Sequence, residues 1–119
     1  MTDPGSNQRD WNDDDHLVAY RTEAVTLLDE VLGMTPRDRY QEVDMAERAI
    51  VHLRDSLINR LRREEDLAQV TRLHEALDRT NVAISLITGV EYPGAGIQEE
   101  SLQQARKVLQ NLSDDGILS

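Results

Sequence analysis

Leu57-Ile58-Asn59-Arg60-Leu61-Arg62-Arg63-Glu64-Glu65-Asp66-Leu67 is the stretch on which the fold turns, because the apolar stripe that reaches it does not continue past it. Before it, Tyr40, Val43, Ala46, Ile50, Leu53, Leu57 and Leu61 recur at three- and four-residue steps, which puts them on one side of a helix. Carrying that phase on from Leu57 lands on Glu64, Thr71, His74 and Asp78, whereas the apolar residues there are Leu67, Val70, Leu73 and Leu77. The phase slips inside Arg62-Arg63-Glu64-Glu65-Asp66. A short turn fits, with Asp66 capping the next helix and Gln69 answering it three residues later. One continuous long helix is the competing reading, since no Gly or Pro enforces the break.

Upstream, Thr35-Pro36-Arg37-Asp38 combines a capping Thr, Pro at the first helical position and an acid three residues after the cap, and so starts helix 2. Helix 1 precedes it on a face of Leu17, Tyr20, Ala24, Leu27/Leu28 and Val31, widened by Val18, Val25 and Leu32. Its acidic start is Asp13-Asp14-Asp15, and Gly33 supplies a left-handed stop. Residues 1–11 are polar and rich in Pro, Gly, Ser and Asn, and read as a disordered tail with Trp11 as its single large apolar group.

Downstream, helix 3 ends in Asn81-Val82-Ala83-Ile84-Ser85-Leu86-Ile87-Thr88 and stops at Gly89. Val70, Leu73, Leu77 and Ile84 set an inward direction there, and Leu86 falls roughly opposite, so this end is apolar on almost every side. Pro93-Gly94 suits a turn, and Gly96 can cap helix 4, whose stripe is Leu102, Ala105, Leu109 and Leu112 with Val108 alongside. Residues 113–119 read as a frayed tail.

The expected fold is all-α: an up-down-up-down four-helix bundle with helices at about 13–32, 36–62, 67–88 and 97–112, because short connections force consecutive helices antiparallel. Residues 12–112 form one domain, and 119 residues suffice for a core without staples. The chain has no Cys, which excludes a disulfide framework, a thiolate nucleophile and a zinc-finger pattern. A net charge of −10 disfavours direct, sequence-independent nucleic-acid binding and repels anionic membranes. No apolar run approaches the roughly 20 residues of a membrane span, and no basic-then-apolar leader opens the chain. A cytoplasmic protein is expected.

Candidate chemistry is sparse. Asp13-Asp14-Asp15-His16 could ligate a hard metal, but adjacent helical residues diverge, and an acidic helix start accounts for them. His52 and His74 lack the Glu-x-x-His spacing of bundle metal sites, having Ala49 and Thr71 three residues before them. Gly94-Ala95-Gly96 lacks the preceding strand and the Lys of a phosphate cradle. Ser56, Ser85 and Ser101 have no patterned base partners. The arginines of helix 2 share their face with acids, as Asp44 with Arg48, and Glu75 with Arg79 repeats this on helix 3, which reads as a solvated, salt-bridged surface.

No catalytic, cofactor-binding or metal residue is therefore expected, and no cofactor. The expected function is a non-catalytic protein–protein interaction module, an adaptor, regulator or assembly factor, with homodimerisation as one use of its surface. The partner-binding candidates are Val82, Leu86, Val90, Tyr92 and Trp11. The alternative is an acidic antagonist that imitates nucleic acid or fills a partner's basic groove.

Overall fold

Breaks in hydrophobic phase divide the chain into four helices, and the computed structural model, which describes residues 4–34, 40–88 and 98–118, with side chains for 15–34, 40–88 and 99–118, has α1 at Pro4–Leu32, α2 at Tyr40–Arg63, α3 at Leu67–Thr88 and α4 at Gln98–Asp114. Each helix packs on the next and α1 closes on α4, so the four form a ring around one core. With short connections between consecutive helices, this is the antiparallel four-helix bundle.

The turn between α2 and α3 is where the phase slip put it. Glu64, Glu65 and Asp66 leave the helix, and the Asp66 carboxylate accepts the Ala68 N–H at 2.9 Å as an N-cap. The backbone N–H of Asp66 in turn donates to Glu64 Oε1 at 3.1 Å, and Arg60 reaches Glu64 from the last turn of α2. Gln69 does not complete the capping box. It accepts from Arg72 Nε at 2.8 Å, because a nearby guanidinium is a stronger donor than a backbone amide.

The core is built from stripes that recur at three and four residues. Leu17, Ala24, Leu28 and Val31 come from α1; Val43, Ala46, Ile50, Leu53 and Leu57 from α2; Leu102, Ala105, Leu109 and Leu112 from α4. The position between Leu17 and Ala24 in the α1 stripe is Arg21, only 7% exposed, which hydrophobic patterning passes over. Its Nη2 donates to Thr22 Oγ1 at 3.1 Å, whereas its Nε meets no partner among the described residues. Burial lowers the Arg21 pKa, and Asp114 at the end of α4 works against that.

Several boundaries and faces differ from expectation. Helix α1 begins at Pro4, about two and a half turns before residue 13, so the backbone is helical through most of the segment read as a disordered tail. Polarity removes burial but not helicity: Pro is tolerated at the first helical position, and extending an existing helix gains a hydrogen bond per residue ordered. Gly33 ends α1 without a left-handed conformation. Its N–H is shared between the Asp29 and Glu30 carbonyls at 3.1 and 3.2 Å, and Met34 bonds back to Val31.

The left-handed stop lies instead at Gly116, with φ of 74°. Gly116 N–H bonds the Ser113 carbonyl at 3.0 Å and Ile117 N–H the Leu112 carbonyl at 2.9 Å, the two bonds of a Schellman cap. The chain then turns inward, and Leu118 joins the core at 2% exposure. Residues 113–118 are thus a docked cap rather than a frayed tail. Arg72 Nη1 holds the Ile117 carbonyl at 2.8 Å from α3.

On α2, Tyr40 is 54% exposed rather than inward, since it lies about 100° from the centre of the buried stripe. The inward line of α3 is Leu73, Ala76, Thr80, Ala83 and Ile87, while Leu67 is 78% exposed. Thr80 satisfies its hydroxyl on the Ala76 carbonyl at 2.7 Å. The start signal at 35–38, the stop at Gly89 and the Pro93 and Gly96 signals lie outside the described residues.

Candidate functional site

The expected contact surface depends on angles along α3, so the observed inward line changes its geometry. Leu77 and Ile84 sit about 60–80° to one side of that line, and Leu86 about 100° to the other. Opposite to one another, they are all flanking positions, and Leu77, Ile84 and Leu86 are half-buried against the core. Leu86 is therefore packed in part against the core itself. Val82 is further out than these three, at about 140° from the line, and it is 51% exposed.

Val82 lies beside α4. Together with Val108, Asn111, Arg79 and Asp115 it lines a shallow hollow of about 340 Å³ along the α3–α4 seam. Arg79 bounds it by donating to Glu75 Oε1 at 2.9 Å, one turn back on α3, and to Asp115 Oδ2 at 2.6 Å, just past α4. Both carboxylates favour the charged guanidinium, Asp115 most, and raise its pKa above the ordinary arginine value. Glu75 with Arg79 was readable from the four-residue spacing. Asp115 was not, because its contact with Arg79 spans 36 residues of sequence and depends on how α4 packs on α3.

Of the five partner-binding candidates, Val82 lines this hollow, and Leu86 lies one turn on along the same flank of α3, packed in part on the core. Val90 and Tyr92 lie outside the described residues, and Trp11 falls in the helical backbone of α1 with its side chain outside them. Val108 and Asn111 belong to the hollow on geometry alone; their only sequence signal was Val108 flanking the α4 stripe.

Elsewhere, several described arginines are paired with acids. Arg48 meets Asp44 at 3.0 Å, Arg54 meets Asp55 at 3.1 Å, and Arg106 of α4 reaches Asp29 of α1 at 2.5 Å. The expected mixed-sign face of α2 is present in the first two pairs. Among the described residues, no three His, Cys, Asp or Glu side chains converge to hold a metal ion. His52 instead lies against the Tyr20 ring at 4.2 Å between centroids, with His16 on Tyr20 at 5.9 Å, and His74 is exposed. No described helix is long and apolar enough to cross a membrane. Comparison with protein-family models, curated proteins and solved structures gave no match in any of the three.

Proposed function

We propose that the protein works as a non-catalytic protein-binding module, an adaptor, regulator or assembly factor, and that the α3–α4 seam is its contact surface. The observation that carries this reading is Val82, half in water at the edge of an open hollow whose other apolar wall is Val108. An apolar floor bounded by a charged pair is the arrangement of an interface core with a polar rim. Arg79, paired with Glu75 and Asp115, supplies the charged rim that stays in water around such a contact. The acidic-antagonist reading has less support, because Asp29, Asp44, Asp55, Glu64, Glu75 and Asp115 each face an arginine rather than an open partner site.

A photo-crosslinking side chain placed at position 82, and for comparison at exposed Lys107, tests the assignment in the native host. A discrete adduct from position 82 but not from 107 is expected. An adduct at twice the chain mass identifies a homodimer and any other mass a different protein. Equal labelling from both positions, or none from 82, removes the seam as the contact surface.

A further inference from the structure

Asp115-Gly116 is the one place in the chain where Asp or Asn is followed by Gly. An aspartyl side chain can close on the backbone nitrogen of the next residue; a side chain on that residue stands in the way, and glycine has none. Here the approach is open. Both residues are exposed, and nothing lies within 4 Å of where a Cβ on Gly116 would be. Gly116, with φ of 74°, lies past the end of α4, and its N–H bonds the Ser113 carbonyl at 3.0 Å instead of joining the helical ladder. Asp55-Ser56, by contrast, lies in the middle of α2, where the ladder commits the amide.

Two contacts hold ring closure back. One is the Gly116 bond to Ser113; the other is Arg79 Nη1, which donates to Asp115 Oδ2 at 2.6 Å. An oxygen bound to a guanidinium is a poor leaving group, since it must take up a proton before it departs as water, and the contact also fixes the carboxylate towards α3.

We propose that Asp115 is a site of spontaneous isomerisation to isoaspartate and that Arg79 is the residue that restrains it. The Gly116 nitrogen attacks Asp115 Cγ: the N–Cγ bond forms, the Cγ–OH bond breaks, and the amide proton leaves with that hydroxyl as water, giving a succinimide. Water then opens the ring. Addition at Cγ restores aspartate, while addition at the backbone carbonyl leaves the main chain running through Cγ, one methylene longer, with the carboxylate on Cα. No electrons are transferred, and water is the sole co-reactant.

The extra methylene falls inside the cap. Ile117 N–H and Leu118 N–H both bond the Leu112 carbonyl, at 2.9 and 2.8 Å, and Leu118 is 2% exposed. Lengthening the chain between Leu112 and Ile117 takes both bonds and the buried leucine out of register. The chemistry is independent of what the α3–α4 seam binds.

The test is to age the full chain for weeks at neutral pH, folded and in urea, and to measure isoaspartate by enzymatic methylation with peptide mapping. Folded wild type accumulates it at Asp115 and not at Asp55, more slowly than in urea. Arg79→Gln speeds the folded reaction roughly two- to fivefold, the factor that one exposed ion pair is worth, and leaves the urea rate unchanged. Arg79→Lys, which keeps the charge, stays close to wild type, and Gly116→Ala slows the reaction in urea. In separated isoaspartyl chains the Leu118 amide loses its protection from hydrogen exchange. Equal rates for folded wild type and Arg79→Gln remove Arg79 as the restraint, and an unmodified Asp115 in folded Arg79→Gln, with isoaspartate forming in urea, overturns the site.

Discussion

The α3–α4 and α1–α2 seams are the same structural object, a groove between antiparallel neighbours, and they offer opposite chemistry. One presents Val82 and Val108 with Arg79 and its two carboxylate partners at its edge; the other presents, among the described residues, two guanidiniums, an imidazole, two hydroxyls and an amide over a buried leucine. The stripes beneath them are alike, Leu73 to Ile87 and Leu102 to Leu112 in one case, Leu17 to Val31 and Val43 to Leu57 in the other. What a bundle groove can hold is thus set at the flanking positions, some 60–140° off the core line, where substitution leaves the helix pairing intact.

If that division is right, the largest effects are equal for the two seams. Leu17→Ala, beneath the α1–α2 seam, and Leu118→Ala, which closes the core where α4 ends, should each cost about 2–5 kcal/mol in urea unfolding, since both remove a nearly fully buried leucine. A Leu118→Ala variant as stable as the wild type would return residues 113–118 to the status of a loose tail. A smaller, matched pair of effects is expected at the terminations. Gly116→Ala forces a side chain into a left-handed backbone, and Asp66→Ala removes the N-cap of α3; each should cost about 1 kcal/mol. A near-zero cost for Asp66→Ala would favour one continuous α2–α3 helix.

The smallest effect belongs to the turn between α2 and α3 and is read by pH. Glu64 has its pKa lowered below 4.5, first by the Arg60 hydrogen bond and then by the Asp66 N–H. A folded-state pKa below the unfolded one means that the contribution is complete above about 4.5 and is lost as pH falls through the folded value. Glu64→Gln should therefore lower the urea midpoint slightly at pH 6, and the gap from wild type should close in more acidic solution. A gap that persists unchanged at acid pH would mean that the carboxylate charge contributes nothing.

Much of the local structure was readable because it depends on neighbours three or four residues away. The slip from Leu57 to Leu67 located the turn, Asp66 announced its cap, and Asp44 with Arg48 and Glu75 with Arg79 announced their pairs. Arg21 was missed for the converse reason: a charge reads as surface, although the spacing of Leu17, Ala24 and Leu28 leaves its position inside the stripe. Gly116 followed by Ile117 and Leu118 was a usable signal of a Schellman cap with its apolar residue beyond. Polarity of Ser113, Asp114 and Asp115 obscured it.

By itself the sequence determined the number of helices, their order and the relative angles of side chains on each, since a helix of 3.6 residues per turn imposes those angles without help from the rest of the chain. Which angle points inward on α3 was decided only by the tertiary structure. Reading from the large residues put that direction at Leu77 and Ile84, whereas packing between α2 and α4 turned Ala76, Thr80 and Ala83 to the centre and left Leu77 and Leu86 on opposite flanks. Periodicity gives every angle on a helix except its zero, and that zero is supplied by the neighbours the helix must pack against.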